Sequence, residues 1–399
     1  MRFGIVAPAT PAVIAQCETA EALGFEAAWL FDSHMVYSDV YVIMALCAER
    51  TRQMRLGTGI AVAPSRIAPV TAHSIATLNQ LYPGRVALGL GTGNTGRRTM
   101  GFPPMKARDF RDYIRTVKGL LRGETVEYRE GDIVRQIRFL HTDRGIVNLD
   151  GLIPVYIAAF GPQVTRMAGE LGDGFISFGG GPDDIRAART ALGEGARRVG
   201  RDLAAKGFRI ILFQIVYVLQ SGERADSIAA RMAVGPAIFA LLRYLIHAGG
   251  LGGEIPPPLA RGIERFRGWM QRHNIDPERD YARFYEHYFL KLPSEHLELL
   301  DEELIRTIAI VGEPEECLER VRALAEAGVT DFGLNLGGNA HELMRRFSRA
   351  VIARWESPRA AANVQRPYGD LAPREHHLAR PPDRRPLSGT LLDVGSRHA

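Results

Sequence analysis

The stretch RLGTGIAVAPSRIAPVTAHSIATLNQLYPGRVALGLGTG, residues 55–93, holds two apolar runs separated by an amphipathic segment. The runs, 54–63 and 85–93, are apolar at consecutive positions, the pattern of parallel strands covered on both faces. The segment between them, 68–82, has helical spacing. Pro69 sits near its start, where a missing N–H leaves no hydrogen bond broken. Strand, crossover helix and parallel strand make a βα repeat, and the same reading extends in both directions. Apolar runs at 2–8, 26–31, 154–160, 173–178, 208–219 and 331–336 are each followed by helical sequence, and 85–93 is followed by a helix over 108–121. Eight units predict an α/β fold, a closed (β/α)8 TIM barrel over residues 1–355, with a doubly wound open sheet as the alternative.

Two segments exceed the repeat. Residues 123–153 carry VEYREG and IVRQIRF, which read as a hairpin. Residues 222–305 are rich in aromatics, among them Trp269, Phe284, Tyr285, Tyr288 and Phe289, and predict rim or lid helices at the C-terminal mouth. Residues 356–399 hold six prolines and many arginines with little apolar periodicity, and predict a disordered tail.

Composition narrows the class. The net charge is +5, but only four of 50 basic residues are lysines and no basic run interleaves with aromatics, so nucleic-acid binding is not expected. Cys17, Cys47 and Cys317 are scattered, as reduced thiols in a cytoplasm would be. Strand-like sequence begins at Arg2, which predicts no secretory leader, and no run of about 18 apolar residues predicts a membrane span.

A barrel of this kind carries its site at the C-terminal ends of its strands. Strand two ends in Asp32-Ser33-His34, where His34 can exchange a proton near neutral pH and Asp32 is the nearest partner in sequence. The plainer alternative is that Asp32 or Ser33 caps a helix. Strand four ends in GLGTGNTG, residues 89–96. Gly91, Gly93 and Gly96 match GxGxxG, but the position in the chain does not suit a dinucleotide site. Glycines there, with Thr92 and Asn94, allow a ligand to approach the backbone, or simply make a tight turn. Strand five ends in Ala159-Phe160-Gly161-Pro162, opening a helix whose free N–H groups suit an anion. Strand six ends in Gly179-Gly180. No HxH, HExxH or GxSxG pattern is present, so no metal is expected. A phosphate-binding isomerase or aldolase would need a Schiff-base lysine, and the four lysines fall on helices or loops.

The segments FDSH (31–34), RLGTGIAV (55–62), TLNQLYPGRVALGLGTG (77–93), RRTMG (97–101), PVYIAAFGP (154–162), GELGDGF (169–175), TIAIVGEPEEC (307–317) and GVTDFGLNL (328–336) together resemble the luciferase-like flavin and deazaflavin oxidoreductases. The subgroup most similar is that of methylenetetrahydromethanopterin reductase. The resemblance implies a cytoplasmic oxidoreductase with coenzyme F420 or FMN in the barrel mouth and a small organic substrate. The ring would lie near Ser33, the Gly59-Ile60 peptide and the strand-four glycines, with its phosphate near strands five and six. It implies a cis peptide at Gly59-Ile60 and a homodimer through the helices at 39–51 and 68–82. Arg97, Arg98 and Arg166 would serve an anionic tail. In the deazaflavin sugar-phosphate dehydrogenases an Asp, a Trp and a Glu stand where this chain has Ser33, Ser38 and Asn94, which puts that reaction in doubt. An FMN monooxygenase and a non-catalytic flavin-binding relative are the alternatives.

Overall fold

A computed structural model describes residues 1–204, 207–248 and 255–355. The predicted tail, 356–399, lies outside them. Eight parallel strands form a ring: β1 (Arg2–Pro8), β2 (Ala27–Phe31), β3 (Arg55–Thr58), β4 (Val86–Gly91), β5 (Val155–Ala158), β6 (Gly174–Phe178), β7 (Arg209–Gln214) and β8 (Asp331–Asn335). Each pairs with its successor, and β8 returns to β1 with Phe3 opposite Phe332 and Ile5 opposite Leu334. The ring is closed through β3 and β4, where Leu56 faces Val86. The fold is the TIM barrel, and the open-sheet alternative is excluded.

The consecutive apolar residues of each strand serve two cores. On β2, Ala28 and Leu30 face the helices, while Trp29 and Phe31 belong to the barrel interior with Val6, Tyr156, Ile176, Ile211 and Phe213. Trp29 is the largest interior side chain and meets Tyr156 and Phe213 at ring distances of 5.7 and 5.8 Å. Gly57 makes this possible, since a Cβ there would stand 2.3 Å from the indole. At the N-terminal end of the barrel, Asp331 is buried between two arginines, accepting from Arg2 Nε at 2.6 Å and Arg209 Nε at 2.7 Å. The Thr330 hydroxyl adds a third donor at 2.7 Å. These bonds tie β8 to β1 and β7.

Run 54–63 is not one strand. It breaks after Thr58 at a cis Gly59–Ile60 peptide, at the expected position, and rejoins the sheet with Ala61 opposite Leu90 and Val62 opposite Gly91. Run 208–219 also divides. After Gln214 its own side chain caps the Ile215 N–H, and Val216–Val218 leaves the ring to pair in parallel with Ile310–Gly312. That small pair brackets the long excursion before β8.

The excursion holds helices Ile228–Ala248, Pro257–Arg272, Tyr281–Phe284 and Glu302–Ile308 around a core of its own, centred on Phe239, Phe266 and Phe284. Helix Ile228–Ala248 is long and apolar enough to cross a bilayer by length and composition, although Arg231 and Arg243 interrupt its apolar run. Its most apolar stretch is 67% buried inside the molecule, which accounts for that composition. The earlier insertion forms an antiparallel hairpin, Val126–Glu130 with Ile133–Ile137.

Candidate functional site

His34 follows β2 and is half-buried. Its Nδ1 lies 2.8 Å from the Ser65 hydroxyl, and its ring rests against Gly96, where a Cβ would stand 3.2 Å from the ring. Ser65 belongs to a single 3-10 turn, Ala63–Ser65, immediately after Ala61–Val62. The re-entry of the chain after Gly59–Ile60 therefore delivers the histidine's partner.

Asp32 makes its hydrogen bonds to groups other than His34. It is buried, and its Oδ2 accepts from the Val62 N–H at 3.1 Å and Arg66 Nη1 at 3.0 Å. Burial pushes its carboxyl above the ordinary value, and Arg66 and the Val62 N–H offset this only in part. The hydrogen bonds of Asp32 thus run away from His34 and clamp β2 to the chain after β3. Nor does it cap a helix, since Asp39 caps Val40–Arg50, accepting from the Tyr41 and Val42 N–H groups. Arg66 bridges the two acids, reaching Asp39 Oδ2 at 2.6 Å, with its guanidinium 4.9 Å from the Tyr41 ring centre. Ser33 is buried beside Asp32.

The glycines divide into two kinds. Gly91 and Gly89 leave room for protein. A Cβ on Gly91 would stand 1.9 Å from Ile60 Cδ1, and one on Gly89 2.3 Å from the Thr58 carbonyl. Gly93 has φ +82°, and a Cβ there would meet Val62 at 2.5 Å. The space before the strand-four glycines is thus taken by the Ile60 and Val62 side chains. Thr92 accepts from the Met105 N–H through its carbonyl, and the Asn94 side chain accepts from Arg98 Nε at 2.9 Å.

Gly161 and Gly179 are the second kind. A Cβ on either would meet nothing within 4 Å. They stand at the ends of neighbouring strands, Gly161 past Ala159 and Phe160, which follow β5, and Gly179 after β6. Phe160 remains half-exposed between Phe178 and Tyr244, with ring distances of 5.4 and 4.4 Å. Gly161 caps helix Pro162–Leu171, whose first turn carries no acid. By contrast, helix Pro182–Arg198 begins with Asp183 and Asp184, and Asp184 binds the Gly181 N–H. Gly180, at φ +105°, packs on that Asp184. The two helix starts therefore differ in charge, that of Pro162–Leu171 being free of acids. Arg166 Nε is ion-paired to Glu194 at 2.8 Å. Arg97 and Arg98 form no ion pair among the described residues. They bind the Pro103 carbonyl and Asn94.

The excursion closes over this mouth. Phe289 packs on Phe31 at a ring distance of 4.9 Å. The Tyr37 hydroxyl donates to the Tyr288 carbonyl at 3.1 Å, and the Tyr288 and Thr95 hydroxyls lie 3.0 Å apart. Sequence reasoning missed Ser65, Arg66, Tyr37 and Arg243. Only Arg243 left a signal, a lone charge within the apolar run AIFALLRYLIHA.

The model of the luciferase-like monooxygenase family matches residues 1–331, and the chain belongs to that family of oxidoreductases. It is similar to the 5,10-methylenetetrahydromethanopterin reductase of Methanolobus tindarius, 26% identical over 362 residues, covering 88% of this chain and 100% of the relative. Part of it is similar to the F420-dependent glucose-6-phosphate dehydrogenase of Rhodococcus erythropolis, 37% identical over 174 residues, 40% of this chain and 49% of that one. Among solved structures, the F420-dependent tetrahydromethanopterin reductase of Methanopyrus kandleri superposes with a TM-score of 0.64 at 22% identity, over 88% of this chain and 98% of that one.

Proposed function

We propose that the chain binds a ring cofactor, F420 in preference to FMN, and passes a hydride between it and a small organic substrate. The observation that carries this reading is the mouth itself. A histidine oriented by Ser65 ends β2, and two unfilled glycine positions, Gly161 and Gly179, end β5 and β6 beside a helix start free of acids. The residues present fit a planar cofactor with a phosphate. The open glycines leave it room, helix Pro162–Leu171 offers N–H groups to the anion, and Arg97 and Arg98 keep their charge for a longer tail. When bound, the ring supplies the redox equivalent. His34 holds or gives the proton that balances it, and the Ser65 hydroxyl, 2.8 Å from Nδ1, holds the ring in place. The F420-linked names of the relatives support the preference. The substrate is not proposed to be a sugar phosphate, because Ser33, Ser38 and Asn94 lack the groups of those dehydrogenases.

The enzyme is further proposed to be cytoplasmic, in keeping with three free, buried cysteines. A homodimer through helices Val40–Arg50 and Ala68–Leu81 is supported by Val42, Leu46, Val70 and Leu81, which are 45–59% exposed on them.

Titration of the apoprotein with F420 and with FMN at low and high salt tests the cofactor. Salt-sensitive F420 binding that weakens in Arg97→Ala/Arg98→Ala supports the proposal. Tight FMN binding without F420 binding moves the enzyme to the monooxygenases. Binding of neither refutes it.

A further inference from the structure

Arg243 stands in the middle of helix Ile228–Ala248, only 5% exposed, in the core of the excursion. Its Nε donates to the Phe284 carbonyl at 2.5 Å, and its guanidinium carbon lies 5.3 and 5.8 Å from the ring centres of Phe266 and Phe284. No Asp or Glu among the described residues pairs with it. The groups close enough to feel its charge include the phenols of Tyr288, Tyr285 and Tyr37 and the His296 ring. Burial pulls the guanidinium down to about 10, which leaves it protonated at neutral pH. A buried cation without an acid is costly, and aromatic faces and one carbonyl offset that cost only in part. The same core encloses further polar atoms without partners, namely both ring nitrogens of His296 and the Trp269 Nε1.

The place of this charge in the fold bears on function. Tyr37 lies three residues after His34, and Tyr288 is joined to Thr95 after β4. Arg243 therefore sits where the excursion meets the ends of β2 and β4, above the mouth that holds His34.

We infer that Arg243 is the specificity determinant for a substrate bearing one carboxylate, seated beneath the excursion with its carboxylate on the guanidinium fork. This deepens the oxidoreductase reading above and rests on it. A single guanidinium matches one carboxylate in charge and planarity. A phosphate carries more charge and would call for a second cation, whereas Arg98 is assigned above to the cofactor tail. The aromatic surroundings suit an acid attached to a ring or another apolar body.

The probes are benzoate, its neutral isostere benzamide, and inorganic phosphate, with binding measured by calorimetry on the full chain, with and without cofactor. Benzoate is expected to bind about 100-fold more tightly than benzamide, the scale of hydrogen bonds to a desolvated charge. That preference should vanish in Arg243→Met and survive, weakened, in Arg243→Lys. Equal binding of benzamide, phosphate binding as tight as benzoate, or a preference unchanged in Arg243→Met would each overturn the inference. The comparison of isosteres on the unaltered chain stands even where a variant fails to fold. If neither F420 nor FMN binds while benzoate still outcompetes benzamide, the cofactor reading falls and the anion site remains. The opposite result removes the site alone.

Discussion

Replacing Asp331 by Asn should lower stability by about 3–5 kcal/mol, the usual cost of breaking a buried ion pair by removing one partner. The substitution keeps size and shape but leaves Arg2 and Arg209, both largely buried, facing a neutral amide where they now reach a carboxylate at 2.6 and 2.7 Å. At about 2 °C per kcal/mol for a chain of this size, the melting temperature should fall by roughly 6–10 °C in calorimetry. Burial raises the Asp331 carboxyl, but Arg2 and Arg209 outweigh it and hold the group below its ordinary value. A depressed acid contributes stability above its unfolded pKa and loses it as pH falls through the folded one. The unaltered protein should therefore lose this contribution below about pH 4, and Asp331→Asn should not. Asp32 is the internal control. Burial leaves its carboxyl above the ordinary value, so its ionisation is disfavoured by folding and declining pH should relieve that cost. Asp32→Asn, whose amide oxygen can still accept the Val62 N–H, should cost under about 1.5 kcal/mol at neutral pH. Equal losses for the two variants, or a loss under about 1 kcal/mol for Asp331→Asn, would refute the assignment of Asp331 as the acid that fastens the barrel closure.

His34→Ala should leave the melting temperature and cofactor binding nearly unchanged while lowering turnover about 100-fold; full turnover would make the histidine a structural edge residue. Gly161→Leu should fold normally, because Gly161 has φ −102° and open space before it, yet weaken cofactor binding; unchanged titration curves would place the ring elsewhere. Sedimentation should give twice the chain mass of 44.0 kDa, and Leu46→Glu should return it to the single-chain value; a monomer at micromolar concentration would exclude the dimer.

The barrel could be read from the sequence because its strands are buried on both faces. Trp29 and Leu30 are neighbours that serve different cores, so apolarity never alternates and each run stands out. Breaks inside those runs could not be read. At the division the Gln214 side chain caps the N–H of the next residue, Ile215, and the departure after Thr58 was expected only from family resemblance. The same limit governs the site. Position along β2 identifies His34, but its partner Ser65 arrives from another strand through a turn of three residues. Local spacing cannot show that Asp32 turns to Arg66, or that the space before Gly91 is taken by Ile60.

The parallel pair Val216–Val218 and Ile310–Gly312 makes the two ends of the excursion hydrogen-bonded neighbours. The Ile310 N–H donates to the Ile215 carbonyl at 2.9 Å and the Leu219 N–H to the Gly312 carbonyl at 2.8 Å, so the path between 219 and 310 starts and finishes at one place. Closing a longer or shorter loop across such a gate changes the entropy little, about 0.6 kcal/mol per doubling of length. The excursion is thus an exchangeable cassette. Its aromatic content and the charge of Arg243 can be rewritten over generations while the barrel, the Asp331 fastening and His34 stay as they are. Sequence change in the excursion is thereby separated from the barrel beneath it.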